Sequence, residues 1–333
     1  MDHSISLPLL VGLIGLALAF DFLNGLHDAA NAIATVVSTR LLSPLAAVAF
    51  AAFGNFAAYW VVGLHVAETV GKGIVDKDVV TPAVVFGALI GAMFWNVLTW
   101  LKGIPSSSSH ALIGGLLGAG VTHAGPAAVE VSGTLKTVAA IFLSPLIGFA
   151  IAMLLMLLTS WLFHGIQSRR VNKSFKGLHL ISSAAYSISH GGNDAQKTMG
   201  IIAVLLYSTG HMGGEFHVPH WVVISCYMAI AMGTLAGGWK IIKTMGSRLT
   251  KLNHHSGFCA SAAGSVVVFS ASAMGIPIST THAITGGVVG TGAARRASAV
   301  RWSVASRVIV AWFITIPASA VVGALFYLLT RLF

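Results

Sequence analysis

Ten long apolar segments make up most of this 333-residue chain. A helix that spans a bilayer needs about 20 predominantly apolar residues, and most of the segments reach that length. Only 8% of the residues are charged, against roughly 25% in soluble domains, so a soluble enzyme is excluded. We predict an all-α integral membrane protein with about ten membrane segments. The segments lie at 7–39, 44–64, 81–101, 104–124, 134–160, 179–208, 221–241, 256–274, 276–294 and 303–331.

The basic residues are distributed unevenly over this topology. With the N-terminus outside, fourteen Lys and Arg residues fall on the inner side and four on the outer side. Cytoplasmic loops of membrane proteins are enriched in Lys and Arg. The net charge of +10 therefore indicates orientation rather than nucleic-acid binding, and the central loop is predicted to be cytoplasmic.

Two sequence patterns recur in both halves of the chain. Residues 104–111, IPSSSSHA, return at 276–283 as IPISTTHA. Residues 24–31, NGLHDAAN, are echoed at 190–197 as HGGNDAQK. These echoes predict an internal duplication.

The duplication predicts three parts: a first repeat at 1–163, a basic cytoplasmic linker at 164–176 and a second repeat at 177–333. Five crossings in each repeat is an odd number, so the repeats would be inverted relative to each other, as in many secondary transporters with broken helices. The segments 104–124 and 276–294 are short and polar at one end. Whether they cross fully or are re-entrant stays open.

Few ionisable groups lie at membrane depth. A carboxylate there costs on the order of 3 kcal/mol by insertion scales, so such residues commonly mark ion or substrate pathways. Asp28 and Asp194 occupy matching repeat positions and are predicted to be coupling carboxylates. Asp21 has Ser187 at its matching position, so a purely structural role is equally compatible with it. The histidines beside the two carboxylates are candidates for proton transfer because histidine titrates near neutral pH.

The glycines, asparagines and aspartates around both carboxylates lower helix propensity. We therefore expect the helices to unwind at Gly25 and at Gly191–Gly192, which would free backbone carbonyls beside the carboxylates. Such oxygens would form a Na⁺ site or a proton site. Two carboxylates also repel an anion until they are neutralised, which favours coupling to a cation or a proton.

The two Pro-Ser/Thr runs favour anion binding. Pro105 and Pro277 are suited to the first turn of a helix. A helix N-terminus with free N–H groups and hydroxyls binds anions, and two such ends suit a tetrahedral oxyanion such as phosphate. Ordinary helix capping is the alternative. The hydroxyl residues are Ser107, Ser108, Ser109, Ser279, Thr280 and Thr281.

Together these four motifs resemble those of the inorganic phosphate transporters of the Pit type, and the resemblance covers most of the chain. It implies a secondary symporter that moves phosphate inward. Some members use Na⁺, whereas the bacterial branch, which this chain resembles more closely, is proton-coupled and takes up phosphate partly as neutral metal–phosphate complexes. The resemblance also implies a bacterial inner-membrane location. His27 stands where the family often has Asn, which weakens a Na⁺ ligand at that position.

From the residues and the resemblance together we predict a phosphate site and a coupling site. The phosphate site comprises Asn31, Ser107, Ser108, Ser109, Asn193, Gln196, Lys197, Ser279, Thr280 and Thr281. The coupling site comprises Asp28, Asp194, His27, His190 and Asn24, with Na⁺ at Asp28, Asn31, Asn193 and Asp194 as the only metal considered. Lys197 is expected either to contact the anion or to pair with Asp194.

The expected partners are phosphate, the coupling ion (H⁺ or Na⁺) and membrane lipid, without a cofactor, and a homodimer is compatible with the sequence. Two alternatives remain. The nearer one is the same scaffold coupled to Na⁺, or carrying another oxyanion such as sulfate. The more distant one is an intramembrane Ser/His/Asp hydrolase, which the symmetric duplication of the hydroxyl runs disfavours because hydrolysis needs one nucleophile. We therefore predict that the protein is not an enzyme.

Overall fold

The computed structural model describes residues 5–213 and 215–332, and within them twelve α-helices dominate. The helices are α1 (Leu7–Ser38), α2 (Pro44–Val61), α3 (His65–Lys72), α4 (Pro82–Lys102), α5 (Ser108–Ala124), α6 (Val131–Leu162), α7 (Ser168–Ser208), α8 (His220–Ala236), α9 (Trp239–Lys243), α10 (His254–Ala273), α11 (Thr280–Arg295) and α12 (Trp302–Leu329). Over the same residues the structure has no strands beyond an isolated bridge between Val75 and Val129. The predicted all-α class is confirmed.

Six of these helices are long and apolar enough to cross a membrane: α1, α2, α4, α6, α10 and α12. A seventh crossing results if α8 and the segment Trp239–Arg248, which are bent by 64° at their junction, form one broken span. Large apolar side chains on the outer faces, such as Leu146 in α6 and Phe313 in α12, are exposed, as a lipid-facing surface requires.

The expected ten segments are not confirmed. The helices α5 and α11 have only 17 and 16 residues, which is short for a crossing. The long helix α7 begins with the basic stretch SRRVNKSFK and contains the polar stretch SHGGNDAQK in its middle, so it lacks the continuous apolar run of α1.

Each Pro-Ser/Thr run forms a break followed by a helix N-terminus. After the break α5 begins at Ser108 and α11 at Thr280, so both helices start three residues beyond their proline. The hydroxyl of Ser107 accepts a hydrogen bond from the His110 backbone N–H at 3.2 Å, and Ser279 caps α11 in the same way at 3.2 Å. The two runs therefore present helix N-termini, as the sequence predicts.

The expected unwinding at the Asp motifs is wrong, because α1 and α7 run through both motifs as continuous helices. The glycines there serve close packing. A Cβ at Gly25 would lie within 3.0 Å of three backbone atoms of α8, and a Cβ at Gly191 within 2.9 Å of three backbone atoms of Asn55 in α2. The sequence signal for weak helix propensity was therefore a signal for small residues at a helix crossing.

Gly25→Ala is accordingly expected to destabilise the protein, because α1 and α8 would have to separate. Overpacking of this kind typically costs about 1–3 kcal/mol. Gly12→Ala, in the same helix but with no atom within 4 Å of the added Cβ, is the matched control and is expected to be neutral or slightly stabilising. Thermal melting of the two purified variants in detergent checks this; equal melting temperatures would contradict the packing role.

The helices pack in corresponding pairs. In one set of contacts α1 packs against α8, and α7 packs against α2. Likewise α5 packs against α12, and α11 against α6. The predicted linker at 164–176 is mostly helical, because α7 already begins at Ser168.

The two ends of the bundle differ in charge. At one end Lys240 donates to the Leu101 carbonyl at 3.1 Å and Arg295 donates to the Lys251 carbonyl at 3.0 Å. The other end contains a cavity of about 400 Å³ lined by Lys72, Asp76, Lys77, Glu130, Tyr207 and Phe216. There the hydrogen bond from Lys77 to the Tyr207 hydroxyl, at 3.2 Å, raises the pKa of Lys77. A basic end opposite a mixed end is what the predicted orientation requires; the assignment of sides stays a prediction.

Candidate functional site

A stripe of buried polar residues runs along one face of α1. Its members recur every three or four residues, the spacing that places side chains on one face of a helix. All are 2% exposed or less. They are Asp21, Asn24, Asp28, Asn31 and Thr35.

Asp28 lies at the centre of this stripe and is bonded from three directions. His27 Nδ1 donates to its carboxylate at 2.7 Å. The hydroxyl of Ser108 at the start of α5 lies 3.2 Å from it and shares its one hydrogen with the nearer Asn24 oxygen at 2.6 Å, and the hydroxyl of Thr281 in α11 donates at 3.3 Å. Both helix N-termini therefore reach the carboxylate of α1.

Asp194 in α7 is bonded in a parallel way. It accepts hydrogen bonds from the Lys197 ammonium and from the Thr280 hydroxyl at 2.9 Å. Lys197 also donates to the Ser109 hydroxyl and to the Ile278 carbonyl at 2.8 Å. Of the two predicted roles of Lys197, the structure shows the pairing with Asp194, and it places a tethered ammonium among three oxygen acceptors.

The duplicated sequence motifs make duplicated contacts. Each carboxylate accepts from the second hydroxyl residue of its own half, and the residue three positions later contacts the third hydroxyl residue of the other half. The equivalent pairs are Ser108–Asp28 with Thr280–Asp194, and Asn31–Thr281 with Lys197–Ser109.

His190 lies between the two carboxylates. Its Nε2 is 3.2 Å from Asp194 Oδ2 and 4.0 Å from Asp28 Oδ2. These three side chains offer ligand atoms that all lie within 4.8 Å of one another. They form the point at which α1 and α7 meet.

The tautomer of His190 follows from its other neighbour, Asn55. The Asn55 amide N–H donates to Thr234 at 2.8 Å, and Thr234 gives its own hydrogen to the Ile230 carbonyl at 2.9 Å. Asn55 therefore presents its oxygen to His190 Nδ1, at 3.0 Å, and Nδ1 carries the hydrogen. A neutral imidazole would then present the lone pair of Nε2 to two carboxylates.

Most of the predicted site residues come together here, but three do not contribute as expected. Gln196 bonds the backbone at Gly63, Val66, Ala67 and Gly192, so it ties α7 to the start of α3 rather than facing the cluster. Ser107 and Ser279 act as helix caps, the alternative considered for the hydroxyl runs.

The remaining predicted residues lie at the edge of the cluster. Asn193 donates to the Ser272 hydroxyl at 2.9 Å and accepts from the Ile278 N–H at 3.4 Å. Asn24 accepts from Ser108 at 2.6 Å. The amide oxygen of Asn31 is buried and has no hydrogen-bond partner among the residues described, so it is free to meet a ligand.

Several residues that orient the cluster were not predicted from the sequence. Thr99 lies 3.1 Å from His27 Nε2, and the Tyr186 hydroxyl donates to the Thr280 carbonyl at 3.0 Å. Asn55 fixes His190. The sequence could have indicated Asn55, because an Asn side chain within an apolar helix needs a hydrogen-bond partner. Thr and Tyr are common in membrane helices, so the sequence gives no comparable indication for Thr99 and Tyr186.

The continuity of α1 and α7 limits the oxygens that this cluster offers to a cation. Hard cations bind through oxygen ligands. Because α1 and α7 are continuous, their carbonyls near Asp28 and Asp194 stay within the helical hydrogen-bond pattern. The oxygens left for Na⁺ are those of the two carboxylates, of Asn31 and of the hydroxyls, most of which already have partners.

Comparisons with known proteins identify the family of this chain. The phosphate transporter family matches residues 24–323. A probable low-affinity inorganic phosphate transporter of Rhizobium meliloti (strain 1021) is 59% identical over 98% of each chain, and one of Bacillus subtilis (strain 168) is 41% identical over 100% of this chain and 99% of the other. Among solved structures, a sodium-dependent phosphate transporter superposes with a TM-score of 0.90 at 25% identity, covering 98% of this chain and 100% of its own. The two relatives are named as transporters, and the solved structure shares the fold of this chain. The transporter family and the several apolar helices together indicate an integral membrane protein. The chain therefore belongs to the phosphate transporter family.

Proposed function

We propose that the protein is a secondary symporter that imports inorganic phosphate together with protons across a bacterial inner membrane, with its N-terminus outside and the central loop in the cytoplasm. The two halves act as inverted repeats. The corresponding helix pairs and the duplicated contacts of the hydroxyl runs support this arrangement.

The observation that carries the proton coupling is the position of His190. Its Nδ1 hydrogen is committed to Asn55, while its Nε2 faces the carboxylates of Asp194 and Asp28. The Nε2 lone pair and the two carboxylates would repel one another in a buried site, and one added proton removes that repulsion. This cluster is therefore the proposed proton site.

Proton binding and phosphate binding are linked through the same hydroxyls. In this structure the Ser108 hydrogen is shared between Asn24 and Asp28, and Thr280 donates to Asp194. Neutralising the carboxylates weakens these acceptors and removes their repulsion of an anion. The hydroxyls, the N-terminal N–H groups of α5 and α11, and the Lys197 ammonium then become donors for phosphate.

Sodium coupling is the second candidate, because the structural neighbour is named a sodium-dependent phosphate transporter. The same three side chains at the centre could take a cation. The tethered ammonium of Lys197 beside Asp194 disfavours it, since a positive charge already stands at one of the two carboxylates.

Uptake of labelled phosphate into proteoliposomes, with the pH gradient and the Na⁺ gradient varied separately, tests the proposal. Uptake is expected to respond to outside acidification without Na⁺, and an excess of sulfate is expected not to compete. Repeating the assay with and without Mg²⁺ determines whether a metal–phosphate complex is the transported form. Uptake that requires Na⁺, or that sulfate abolishes, would contradict the proposal.

Ser108→Ala is expected to raise the KM for phosphate about tenfold or more, because it removes the proposed hydrogen bond from Ser108 to the phosphate anion. A hydrogen bond to a charged group is worth about 1.5–3 kcal/mol. Ser106→Ala is the matched control. Ser106 belongs to the same run, but its hydroxyl bonds Thr315 at 2.9 Å and Trp95 at 3.1 Å, away from the carboxylates. Initial uptake rates measured against phosphate concentration check this; equal KM values for the two variants would remove Ser108 from the phosphate site.

A further inference from the structure

Asp21 is a buried carboxyl group that the central cluster does not use. It lies on the polar stripe of α1, two turns and about 10 Å before Asp28 along the helix axis. Asp21 is fully buried. Neither of its oxygens has a hydrogen-bond partner within residues 5–213 and 215–332.

The surroundings of Asp21 contain further unpartnered polar atoms. The hydroxyl of Thr198 in α7 and that of Tyr227 in α8 are buried and lack partners in the part of the chain that the structure describes. The Thr198 hydroxyl and the Asn24 amide interact with the carboxyl, but neither lies in hydrogen-bond geometry with it. Buried polar groups without partners are rare in proteins, so the carboxyl group needs a further partner.

The charges around Asp21 do not neutralise it. α4 contributes no titratable side chain before Lys102, and the Tyr59 ring of α2 lies behind Tyr227 at 6.3 Å. Lys197 is already bonded to Asp194. The titratable groups that face Asp21 are Asp194 and Lys197 from α7, and Cys226 and Tyr227 from α8.

A carboxylate in this setting is costly by several kcal/mol, whereas the neutral acid is not. Sodium is a poor occupant, because the polar neighbours of the carboxyl are the Thr198 hydroxyl and the Asn24 amide, and the Asn24 oxygen is already bonded to Ser108; a hard cation binds more oxygens than this. A proton on Asp21 satisfies the group without any further ligand. The new O–H can also donate to the neighbouring Thr198 hydroxyl.

We infer that Asp21 is a second proton-binding residue, distinct from the proton site at Asp28, His190 and Asp194, and that it is protonated when it is buried against α7 and α8. The O–H bond forms at an Asp21 carboxylate oxygen when the residue faces solution, and the same bond breaks when the residue faces solution again. The charged form opposes burial against α7 and α8. The inference rests on the proposed proton coupling and adds a second residue to it.

The asymmetry between the repeats supports a dedicated role. Ser187 occupies the position in α7 that matches Asp21, and its hydroxyl is satisfied by the Ser183 carbonyl at 3.0 Å. A residue that served only to join helices would be expected to find a partner in the same way. Asp21 has no such hydrogen bond among the residues that the structure describes.

Infrared spectroscopy of the full-length protein in nanodiscs, without phosphate and without Na⁺, tests the inference directly. At neutral pH we expect a carbonyl-stretch band of a protonated carboxylic acid that disappears in Asp21→Asn and persists in Asp28→Asn. In Asp21→Glu the band is expected to return at a shifted frequency. A wild-type spectrum without such a band, or a band that Asp21→Asn leaves unchanged, would overturn the inference. A band that added Na⁺ removes would overturn it as well.

Transport measurements separate this inference from the proposed function. Asp21→Asn is expected to keep phosphate exchange between equal pools, but to lose accumulation driven by a pH gradient; Asp21→Glu is expected to regain it. Wild-type accumulation in Asp21→Asn would overturn the inference while leaving proton coupling intact. A wild-type protein that ignores the pH gradient but still shows the Asp21 band would contradict the proposed function instead.

Discussion

Asp28→Asn is expected to reduce phosphate uptake to the level of protein-free vesicles. Asn keeps the shape of the side chain but cannot bind the transported proton. Its amide also cannot accept from His27, Ser108 and Thr281 as the carboxylate does. Uptake of labelled phosphate by proteoliposomes, driven by an inside-alkaline pH gradient, measures the loss.

Thermal melting of the purified Asp28→Asn protein is the control, because a variant that does not fold would also show no uptake. The variant is expected to remain folded, because the removal of a buried charge at unchanged volume offsets part of the cost of the lost hydrogen bonds. Asp194→Asn is expected to abolish uptake too, but with lower stability, because it leaves the Lys197 ammonium without its carboxylate. Wild-type uptake in both variants would exclude these residues from the coupling site.

Lys197→Met is expected to destabilise the protein by about 3–5 kcal/mol, because breaking a buried ion pair from one side leaves an uncompensated charge. Lys197 is 3% exposed and Asp194 is fully buried, so water cannot take over the lost contact. The double variant Lys197→Met with Asp194→Asn is expected to recover most of this stability while remaining inactive. Thermal or denaturant unfolding of the purified proteins gives the comparison.

Lys77→Met is the matched control for Lys197→Met. Lys77 bonds Tyr207 at the surface of the bundle, where such contacts are worth at most about 1 kcal/mol. Equal losses for the two lysines, or a double variant no more stable than Lys197→Met, would show that the buried ion pair within α7 does not contribute the expected stability.

Much of the helical architecture could be predicted from the sequence, because hydropathy and the duplicated motifs are strong signals. The boundaries of α1, α2, α4, α6, α10 and α12 lie close to the predicted apolar segments. The expected unwinding at Gly25 and Gly191 was wrong because glycine lowers helix propensity and also permits close helix packing. Sequence alone does not distinguish the two, since the deciding atoms belong to α8 and α2.

The site residues could be predicted from the sequence where a charged side chain lies within an apolar segment, because its burial there costs free energy. Asp28, Asp194 and Lys197 stand out because charge is rare at membrane depth. The role of Gln196 was not predictable, because a polar side chain beside the motif looks the same in sequence whether it faces the cluster or the turn before α3. The tautomer of His190 depends on Asn55 and Thr234, which are distant in sequence and meet His190 only after folding.

Proton coupling is tested most directly by concentrative phosphate uptake in sodium-free proteoliposomes, with the interior alkaline and the membrane potential clamped at zero. We predict that phosphate accumulates against its own gradient, that a protonophore collapses the accumulation, and that Asp194→Asn vesicles show only leak. Accumulation that appears only when an inward Na⁺ gradient is imposed, and that ignores the protonophore, would contradict proton coupling through Asp28, His190 and Asp194.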